Sequence, residues 1–221
     1  VLSRRQRQMC IRDRYKNALI SVFDKSHLEE LSIFLIKKKF TIYSTGGTSK
    51  YLKKLGIPFK EISEYTLQKE ILDGRVKTLH PKIHAGILSK RNNRSHKKDL
   101  KSNNFDEIDL VIANFYPFEK TLEQTSNHLK IIENIDVGGP TMVRAAAKNY
   151  NDVVVITSSS QYDELIGQIN LNKGSTSLEF REKMSLEAFS ETAYYDAVIS
   201  NYFNKIRNNP VSYTHLTLPT T

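Results

Sequence analysis

Two short runs of apolar residues constrain the fold more than any other feature. "IDLVIANFYP" (Ile108 to Pro117) and "DVVVITSS" (Asp152 to Ser159) each contain consecutive aliphatic residues without polar alternation. Such runs are typical of strands that are buried on both faces of a parallel sheet. A helical pattern over Pro140 to Asn149 separates them, so the chain is predicted to contain a β-α-β unit.

The same alternation recurs upstream. "NALISVF", "FTIYST" and "FKEIS", which begin at Asn17, Phe40 and Phe59, are predicted strands. "SHLEELSIFLIKKK" is a predicted helix in which Ser26 and Glu29 have the spacing of a capping box. "GGTSKYLKKLG" reads as a glycine turn followed by a short helix. The whole pattern predicts an α/β fold with a mainly parallel sheet flanked by helices.

Three further segments have a polar or helical pattern. Gln161 to Ile169 is a predicted helix, and Lys90 to Asn104 is a basic stretch that we expect to form a surface loop and helix. Ser177 to Ile206 contains no glycine or proline and has apolar residues at helical spacing. We therefore expect one long or kinked C-terminal helix that packs on the domain or on a partner.

The two ends of the chain match opposite strands of one DNA sequence. A set of codons for "VSYTHLTLPT" (Val211 to Thr220), read on the complementary strand, encodes "RRQRQMCIRD" (Arg4 to Asp13) residue for residue. We therefore expect residues 1–14 and 211–221 to be translated adapter, which should be left out of fold reasoning. The alternative is a natural basic arm at the N-terminus. On the adapter hypothesis, the native protein extends beyond the remaining residues.

Composition without these ends is typical of a soluble globular domain. Residues 1–14 hold five arginines and one aspartate, so without them the formal net charge falls from +9 to +5, and the single cysteine, Cys10, is lost. Mild basicity suits a phosphate-bearing small ligand. No apolar run approaches the roughly twenty residues that cross a bilayer, so we expect no membrane helix. A single cysteine cannot form an internal disulfide, which favours a reducing compartment, and we expect a cytoplasmic location.

The first motif with chemical content is "STGGTSKYL", which follows a predicted strand and opens a helix. Two glycines allow a tight turn, and the free N–H groups of a helix start, together with hydroxyl groups, can hold an anion. The alternative is a plain strand-to-helix turn capped by a threonine. The candidate residues are Ser44, Thr45, Gly46, Gly47 and Thr48.

The second motif, "DGRVKTLHP", concentrates polar side chains between glycines and a proline. Arg75 can bind a phosphate or carboxylate through two hydrogen bonds, Lys77 supplies a point charge, and Thr78 adds a hydroxyl donor. A solvated basic loop is the alternative. Two glycine-containing anion motifs in one chain favour the functional interpretation.

The remaining motifs follow predicted strands. In "ANFYPF", Asn114 can pair with an amide or base edge and Tyr116 can donate a proton at the carboxyl edge of a sheet, where ligands bind in open parallel folds. In "ENIDVGGPTMVRAAAKN", Asp136 precedes a second glycine-rich helix start, and Arg144 and Lys148 share one helix face. The alternative for Tyr116 is an amphipathic residue at the rim of the fold. The alternative for Asp136 is a carboxylate that interacts favourably with the dipole of the helix it precedes.

The histidines show no spacing typical of metal ligands, and no HExxH, GxSxG or Walker A motif occurs. We therefore predict neither a metal site nor a cofactor.

Six motifs occur together and in order, which makes a family resemblance specific. "NALISVFDK", "STGGTSKYL", "DGRVKTLHPKIHAGIL", "DLVIANFYPF", "IENIDVGGPTMVRAAAKN" and "AFSETAYYDAVISNYF" resemble the N-terminal inosine monophosphate (IMP) cyclohydrolase domain of the bifunctional purine biosynthesis proteins. The resemblance implies a methylglyoxal-synthase-like domain over 15–176. It also implies a helical extension over 177–210, leading to a formyltransferase domain that this chain lacks.

The resemblance also implies an activity, namely closure of 5-formamidoimidazole-4-carboxamide ribonucleotide to IMP and water by a homodimer. Lys77 would polarise the formyl oxygen, Tyr116 would relay a proton, and Asp136, with Lys148, would assist deprotonation of the amide. Residues implied to bind the substrate are Ser21, Lys25, Ser44, Thr45, Gly46, Gly47, Thr48, Arg75, Thr78, Asn114, Gly138 and Gly139.

One position departs from the family pattern. Many members have a small serine where this chain has Phe23. If that serine hydroxyl contacts phosphate, Phe23 cannot replace it, and Ser21, Lys25 and the glycine turn are expected to retain the ligand. A Phe23 side chain turned into the core would make the difference harmless.

Three other functions compete with the cyclohydrolase. A regulatory module that binds a nucleotide effector would not need the catalytic residues together. Methylglyoxal synthase would not need the "DGRVKTLHP" and "IDVGGPTMVRAAAKN" stretches. A nucleic-acid-binding role rests only on the basic stretch from Lys90 to Lys101, and strongly salt-dependent binding to duplex would reveal it. We expect a nucleotide ligand, and neither nucleic acid nor membrane as a partner.

Overall fold

A computed structural model describes residues 17–207 of the chain. The residues predicted to be translated adapter lie outside the described part. Within it, five strands form one sheet in the order β3-β2-β1-β4-β5, and every neighbouring pair is parallel. The prediction of a mainly parallel sheet is confirmed. The strands are β1 Asn17–Ser21, β2 Thr41–Ser44, β3 Lys60–Glu61, β4 Leu110–Ala113 and β5 Val154–Ile156.

Helices flank this sheet, and in the described part of the chain a 3₁₀ turn over Ser159–Gln161 comes directly before the ninth helix. The last helix runs without a break over thirty residues, as the absence of glycine and proline predicted. None of the described helices is long and apolar enough to cross a membrane. The helices are α1 Leu28–Lys37, α2 Gly46–Lys54, α3 Ile62–Thr66, α4 Pro81–Leu88, α5 Arg94–Asn103, α6 Phe118–Gln124, α7 His128–Glu133, α8 Gly138–Lys148, α9 Tyr162–Leu171 and α10 Leu178–Arg207.

The predicted capping box at α1 is wrong. The helix begins at Leu28, and His27 precedes it with φ 57° and no side-chain cap. Ser26 instead donates from both its backbone N–H and its hydroxyl to Oδ1 of Asp24. Asp24 and Ser26 thus form a local turn, in which the Ser26 hydroxyl donates to a carboxylate and does not accept from an N–H of the helix start, as a capping box would require.

The predicted third strand is much shorter than the sequence suggested. Only Lys60 and Glu61 pair with β2, and α3 starts at Ile62. An edge strand makes hydrogen bonds on one side only, so a short pairing costs little and blunts the exposed edge. The helices α3, α4, α6 and α7 were not predicted.

The core lies between the sheet and its helices. Every residue of β4 and β5 is buried, as expected for strands covered on both faces. Helix α8 packs on these two strands through Met142, Val143 and its alanines, and both α4 and α10 pack against α8. The Ser185 hydroxyl on α10 donates to the carbonyl of Ala147 at 2.8 Å, which fixes the two helices against each other.

The strand order determines where a ligand can bind. β1 lies at the centre, with β2 on one side and β4 on the other. The chain winds outward in both directions from this point, so the loops that follow β1 and β4 diverge and leave a crevice at the carboxyl ends of the strands.

Candidate functional site

A cavity of about 520 Å³ opens at this edge of the sheet. The end of β1, the turn after β2, the 73–78 loop and the segment that enters α8 all contribute to its wall. Its volume is within the usual range for small-molecule sites. Eight of the residues predicted to act on or bind the substrate line it, namely Ser21, Thr45, Arg75, Lys77, Thr78, Asp136, Gly138 and Gly139.

The glycine turn before α2 is flanked by two ammonium groups. Gly46 has φ +61°, a conformation that favours glycine, and Nζ of Lys77 lies 3.8 Å from where a Cβ on Gly46 would stand. Nζ of Lys25 lies 3.9 Å from the corresponding point on Gly47. The first N–H groups of a helix lack intrahelical acceptors. Two cations beside such a helix start create a strong local preference for an anion.

Two hydroxyl groups predicted to bind the ligand make internal hydrogen bonds instead. The buried Ser44 hydroxyl donates to the carbonyl of Ile20 at 2.9 Å. The buried Thr48 hydroxyl accepts from N–H of Val22 and donates to its carbonyl. These contacts fasten β2 and α2 to β1. Direct binding of substrate by Ser44 and Thr48 stays a prediction, whereas Thr45 lines the cavity and makes no side-chain cap.

The loop that carries Lys77 is held in an uncommon backbone conformation. Ile71 and Val76 form an antiparallel bridge, and the residues between them include Leu72 and Asp73 at φ 54° and Gly74 at φ 90°. A Cβ on Gly74 would stand 2.7 Å from Cε of Lys77. Left-handed backbone at non-glycine residues costs about 1 kcal/mol or more each, and such strain concentrates at functional sites.

Both cations of this loop are paired with carboxylates. Nζ of Lys77 lies 3.0 Å from Oε2 of Glu70. Arg75 donates to both carboxylate oxygens of Glu133, and this hydrogen bonding lowers the pKa of Glu133 while it raises that of Arg75. Glu133 also lines the cavity. Sequence reasoning missed both glutamates. Glu133 is 58 residues from Arg75, and the pairing of Glu70 with Lys77 depends on the turn between Ile71 and Val76.

Asp136 lies where the chain enters α8. Its Oδ1 accepts from N–H of Gly139 at 2.9 Å, and its own N–H donates to the hydroxyl of Tyr195 at 2.8 Å. Burial raises the pKa of Asp136, and backbone hydrogen bonds from Gly139 and Gly138 offset part of this increase. A carboxylate with a raised pKa, held at the wall of a cavity, is suited to accept a proton.

The two glycines at the start of α8 allow close approach of polar side chains. A Cβ on Gly139 would stand 2.5 Å from Oδ2 of Asp136, and a Cβ on Gly138 would stand 2.8 Å from Oγ1 of Thr78. Any larger residue would displace these oxygens. The glycine pair therefore determines how near Asp136 and Thr78 can lie to the helix start.

Asn114 and Tyr116 lie in the loop that follows β4 and are not among the residues that line the cavity. Oδ1 of Asn114 accepts from N–H of Phe23 and of Asp24, so its amide fastens the loop after β1. The Tyr116 ring packs edge-on against Phe23, with centroids 4.5 Å apart. Phe23 is 49% exposed and therefore does not turn into the core. Lys25 donates to the carbonyl of Phe23 at 3.0 Å.

Lys148 lies far from the other predicted catalytic residues. It is the last residue of α8, so the rise of a helix places it about 15 Å along the axis from Gly138. There it lines a separate depression with Arg144 and Phe189. Within one chain the structure does not bring Lys148 together with Asp136, and its assignment to the catalytic group stays a prediction.

Comparison with known proteins adds three findings. The MGS-like domain family matches residues 27–141, and the AICARFT/IMPCHase bienzyme family matches residues 146–220. The crystal structure of ForH superposes with a TM-score of 0.76 at 28% identity, over 86% of this chain and 99% of that chain.

Similar sequences share one name. The bifunctional purine biosynthesis protein PurH of Prochlorococcus marinus (strain MIT 9312) is 47% identical over 86% of this chain, and PurH of Bradyrhizobium diazoefficiens is 44% identical over 87%. PurH of Caldicellulosiruptor bescii is 46% identical over 92%. The chain spans 37%, 36% and 40% of the length of these three relatives, respectively.

Proposed function

We propose that this chain, which belongs to the MGS-like domain family, is an IMP cyclohydrolase. The reaction closes the pyrimidine ring of 5-formamidoimidazole-4-carboxamide ribonucleotide. The carboxamide nitrogen attacks the formyl carbon and a new N–C bond forms. The formyl oxygen leaves as water, with one proton from the carboxamide nitrogen and one from the formamide nitrogen, which becomes doubly bonded to that carbon. The relatives called bifunctional purine biosynthesis protein support this proposal for the part of their length that the chain spans. The homodimer and the cytoplasmic location stay predictions.

The observation that supports the proposal is that Lys77 and Asp136 line one cavity together with the glycine-rich start of α8. Gly46 and Gly47 at the start of α2 line a neighbouring cavity, which shares Thr45 and Lys77 with the first. One helix start, beside Lys25 and Lys77, has the charge to hold a phosphate. The other carries the half-buried carboxylate of Asp136. A nucleotide that spans the cavity would therefore have its phosphate at one end and its reacting groups near a cation and a base.

The chemical roles follow from these positions. An amide nitrogen is a weak nucleophile, so the site must hold it against the formyl carbon and remove its proton. Asp136 is the proposed base, because its raised pKa favours proton uptake. Lys77 is proposed to stabilise negative charge on the formyl oxygen. Tyr116, held against Phe23, is proposed to deliver the proton with which that oxygen leaves as water.

The test is turnover by the purified chain. With 5-formamidoimidazole-4-carboxamide ribonucleotide as substrate, we expect IMP to accumulate, as measured by ultraviolet absorbance and confirmed by chromatography. Dihydroxyacetone phosphate, offered in parallel, is expected to yield no methylglyoxal. Tight binding of IMP without turnover would contradict the proposal and favour a regulatory nucleotide-binding module.

A first prediction concerns the carboxylate that pairs with Arg75. Glu133→Gln removes a negative charge from the cavity wall and releases Arg75 for an anionic ligand. Because exposed ion pairs contribute little, we expect the Kd for IMP to fall only about two- to fivefold at low ionic strength. Isothermal titration calorimetry at two salt concentrations would measure this change.

The matched control is Glu182→Gln, which removes the same charge from an exposed position on α10. That position is several helical turns from Tyr195, the residue of α10 whose hydroxyl accepts from N–H of Asp136. It should leave the Kd for IMP unchanged. Equal affinities for the Glu133→Gln variant and the unmodified chain at low salt would show that Glu133 does not compete with the ligand for Arg75.

A further inference from the structure

Tyr195 connects the long C-terminal helix to the candidate site. It lies on α10 and is only 6% exposed, with its ring packed against Phe115 at 5.1 Å and Phe118 at 6.5 Å between centroids. Its hydroxyl accepts from N–H of Asp136 at 2.8 Å, across 59 residues of sequence. Burial raises the pKa of Tyr195, so the phenol is protonated at neutral pH.

The helix that carries Tyr195 has a fixed position relative to α8. Ser185 donates to the carbonyl of Ala147 near the far end of α8. Arg181 donates to the carbonyls of Tyr150 and Asn151, just beyond that end. With the bond from Asp136, α10 is thus attached at both ends of α8 and cannot shift along it without breaking buried hydrogen bonds.

The carboxylate of Asp136 has little freedom in this arrangement. Gly139 holds Oδ1 through its N–H, and it approaches Oδ2 so closely that an added Cβ would stand 2.5 Å away. The direction of the side chain therefore depends on the backbone of the turn at Asp136. Apart from the turn itself, Tyr195 is the described residue that holds this N–H.

We propose that Tyr195 is a positioning residue for the reaction, which orients Asp136 through its backbone N–H and so makes α10 part of the active site. The inference rests on the proposed cyclohydrolase function, in which Asp136 is the base. On this proposal, the long helix α10 contributes to catalysis by positioning Asp136, in addition to packing against the domain.

The test compares two adjacent tyrosines. Tyr195→Phe removes only the oxygen that accepts from Asp136 and keeps the buried ring. Tyr194→Phe is the matched control, because Tyr194 is 40% exposed and its hydroxyl donates to Glu119 on α6. Both variants lose one hydroxyl from neighbouring positions on the same helix, so a general effect of losing an oxygen from α10 would appear in both.

We expect kcat of the Tyr195→Phe variant to fall about tenfold, the equivalent of one hydrogen bond, and KM to stay within about twofold. The Tyr194→Phe variant should retain both constants. The KM–kcat split separates positioning from a role in substrate binding. Because partial unfolding would also lower the apparent kcat without changing KM, the folded fraction and the thermal midpoint of each variant are measured by circular dichroism, and kcat is expressed per folded chain.

A second readout does not depend on turnover. The carboxyl ¹³C resonance of Asp136, identified by its absence in Asp136→Asn, is titrated by NMR in each variant. We expect the pKa of Asp136 to rise in Tyr195→Phe, because the turn loosens, the Gly139 N–H bond weakens and the surroundings become more apolar. It should be unchanged in Tyr194→Phe.

The outcomes separate the two proposals. If the unmodified chain produces no IMP, the cyclohydrolase proposal fails, and the titration of Asp136 alone decides whether Tyr195 orients it. If the chain is active and Tyr195→Phe changes neither kcat nor the pKa of Asp136, the positioning role is overturned while the proposed function stands.

Discussion

Replacing Lys77 by methionine is expected to lower kcat/KM for ring closure about 100- to 1000-fold. Methionine keeps the length of the side chain and removes its charge. In the proposed reaction, negative charge develops on the formyl oxygen in the transition state, and removing one preorganised donor from such a site typically costs this much. Initial rates of IMP formation over a range of substrate concentrations would measure the loss.

The structure indicates how this loss should divide between kcat and KM. Nζ of Lys77 also lies beside the α2 glycine turn, where the phosphate is proposed to bind. We therefore expect KM to rise several-fold and most of the remaining loss to appear in kcat. A change in KM alone would place Lys77 with the phosphate and remove it from the chemistry.

The control for this charge is Lys97→Met, at an exposed position on α5. It lowers the net charge equally, so it reports the effect of long-range attraction on substrate binding. The Lys97 variant should retain full activity. Activity within about fivefold of the unmodified chain in the Lys77 variant would remove Lys77 from the catalytic group.

The sheet was predictable because its signal is local. The aliphatic residues of Leu110–Ala113 and Val154–Ile156 lie next to one another in sequence, and both strands are fully buried in the fold. The uninterrupted thirty-residue helix follows equally directly from a stretch without glycine or proline. Prediction was weaker where several nearby groups compete for the same hydrogen-bonding side chain. At α1, Asp24 rather than a downstream helix binds Ser26.

The site was predictable only in part, because it depends on contacts between distant segments. Glycine pairs and the Arg75 loop have recognisable sequence patterns. The structure places Gly138, Gly139 and the Arg75 loop around one cavity, and Gly46 and Gly47 line a neighbouring one. The sequence contains no signal that Ser44 would donate to a neighbouring strand, or that Glu133 would pair with Arg75. Tyr195 is likewise indistinguishable in sequence from Tyr194, although only Tyr195 is buried against Phe115.

Asp136 illustrates how function and stability conflict at this site. Burial raises its pKa, so the folded chain binds a proton there more tightly than the unfolded chain does. Protonation of Asp136 therefore increases the free energy of unfolding. This contribution is fully present below 3.8, the ordinary pKa of the group, and it is lost as the pH rises through the raised pKa of the folded chain. At neutral pH the ionised carboxylate therefore destabilises the fold, while the same ionised form is the proposed base.

Replacing Asp136 by asparagine is accordingly expected to lower kcat about 100- to 10,000-fold and to stabilise the chain. Loss of a positioned general base costs activity in this range. Asparagine cannot ionise, yet its Oδ1 can still accept from N–H of Gly139, so the start of α8 is preserved. We expect the thermal midpoint at pH 7 to rise by about 2 °C, a typical gain when a functional strain is removed.

The pH dependence of this rise in thermal midpoint shows whether ionisation of Asp136 is its cause. The difference in thermal midpoint between the asparagine variant and the unmodified chain should shrink as the pH falls, and it should be smallest below the ordinary pKa of aspartate, where the carboxyl group is protonated in both the folded and the unfolded state. Asp99→Asn, at an exposed position on α5, should change neither activity nor midpoint. A variant of Asp136 that lost stability at pH 7, or retained activity, would show that this half-buried carboxylate has a structural role and is not the base.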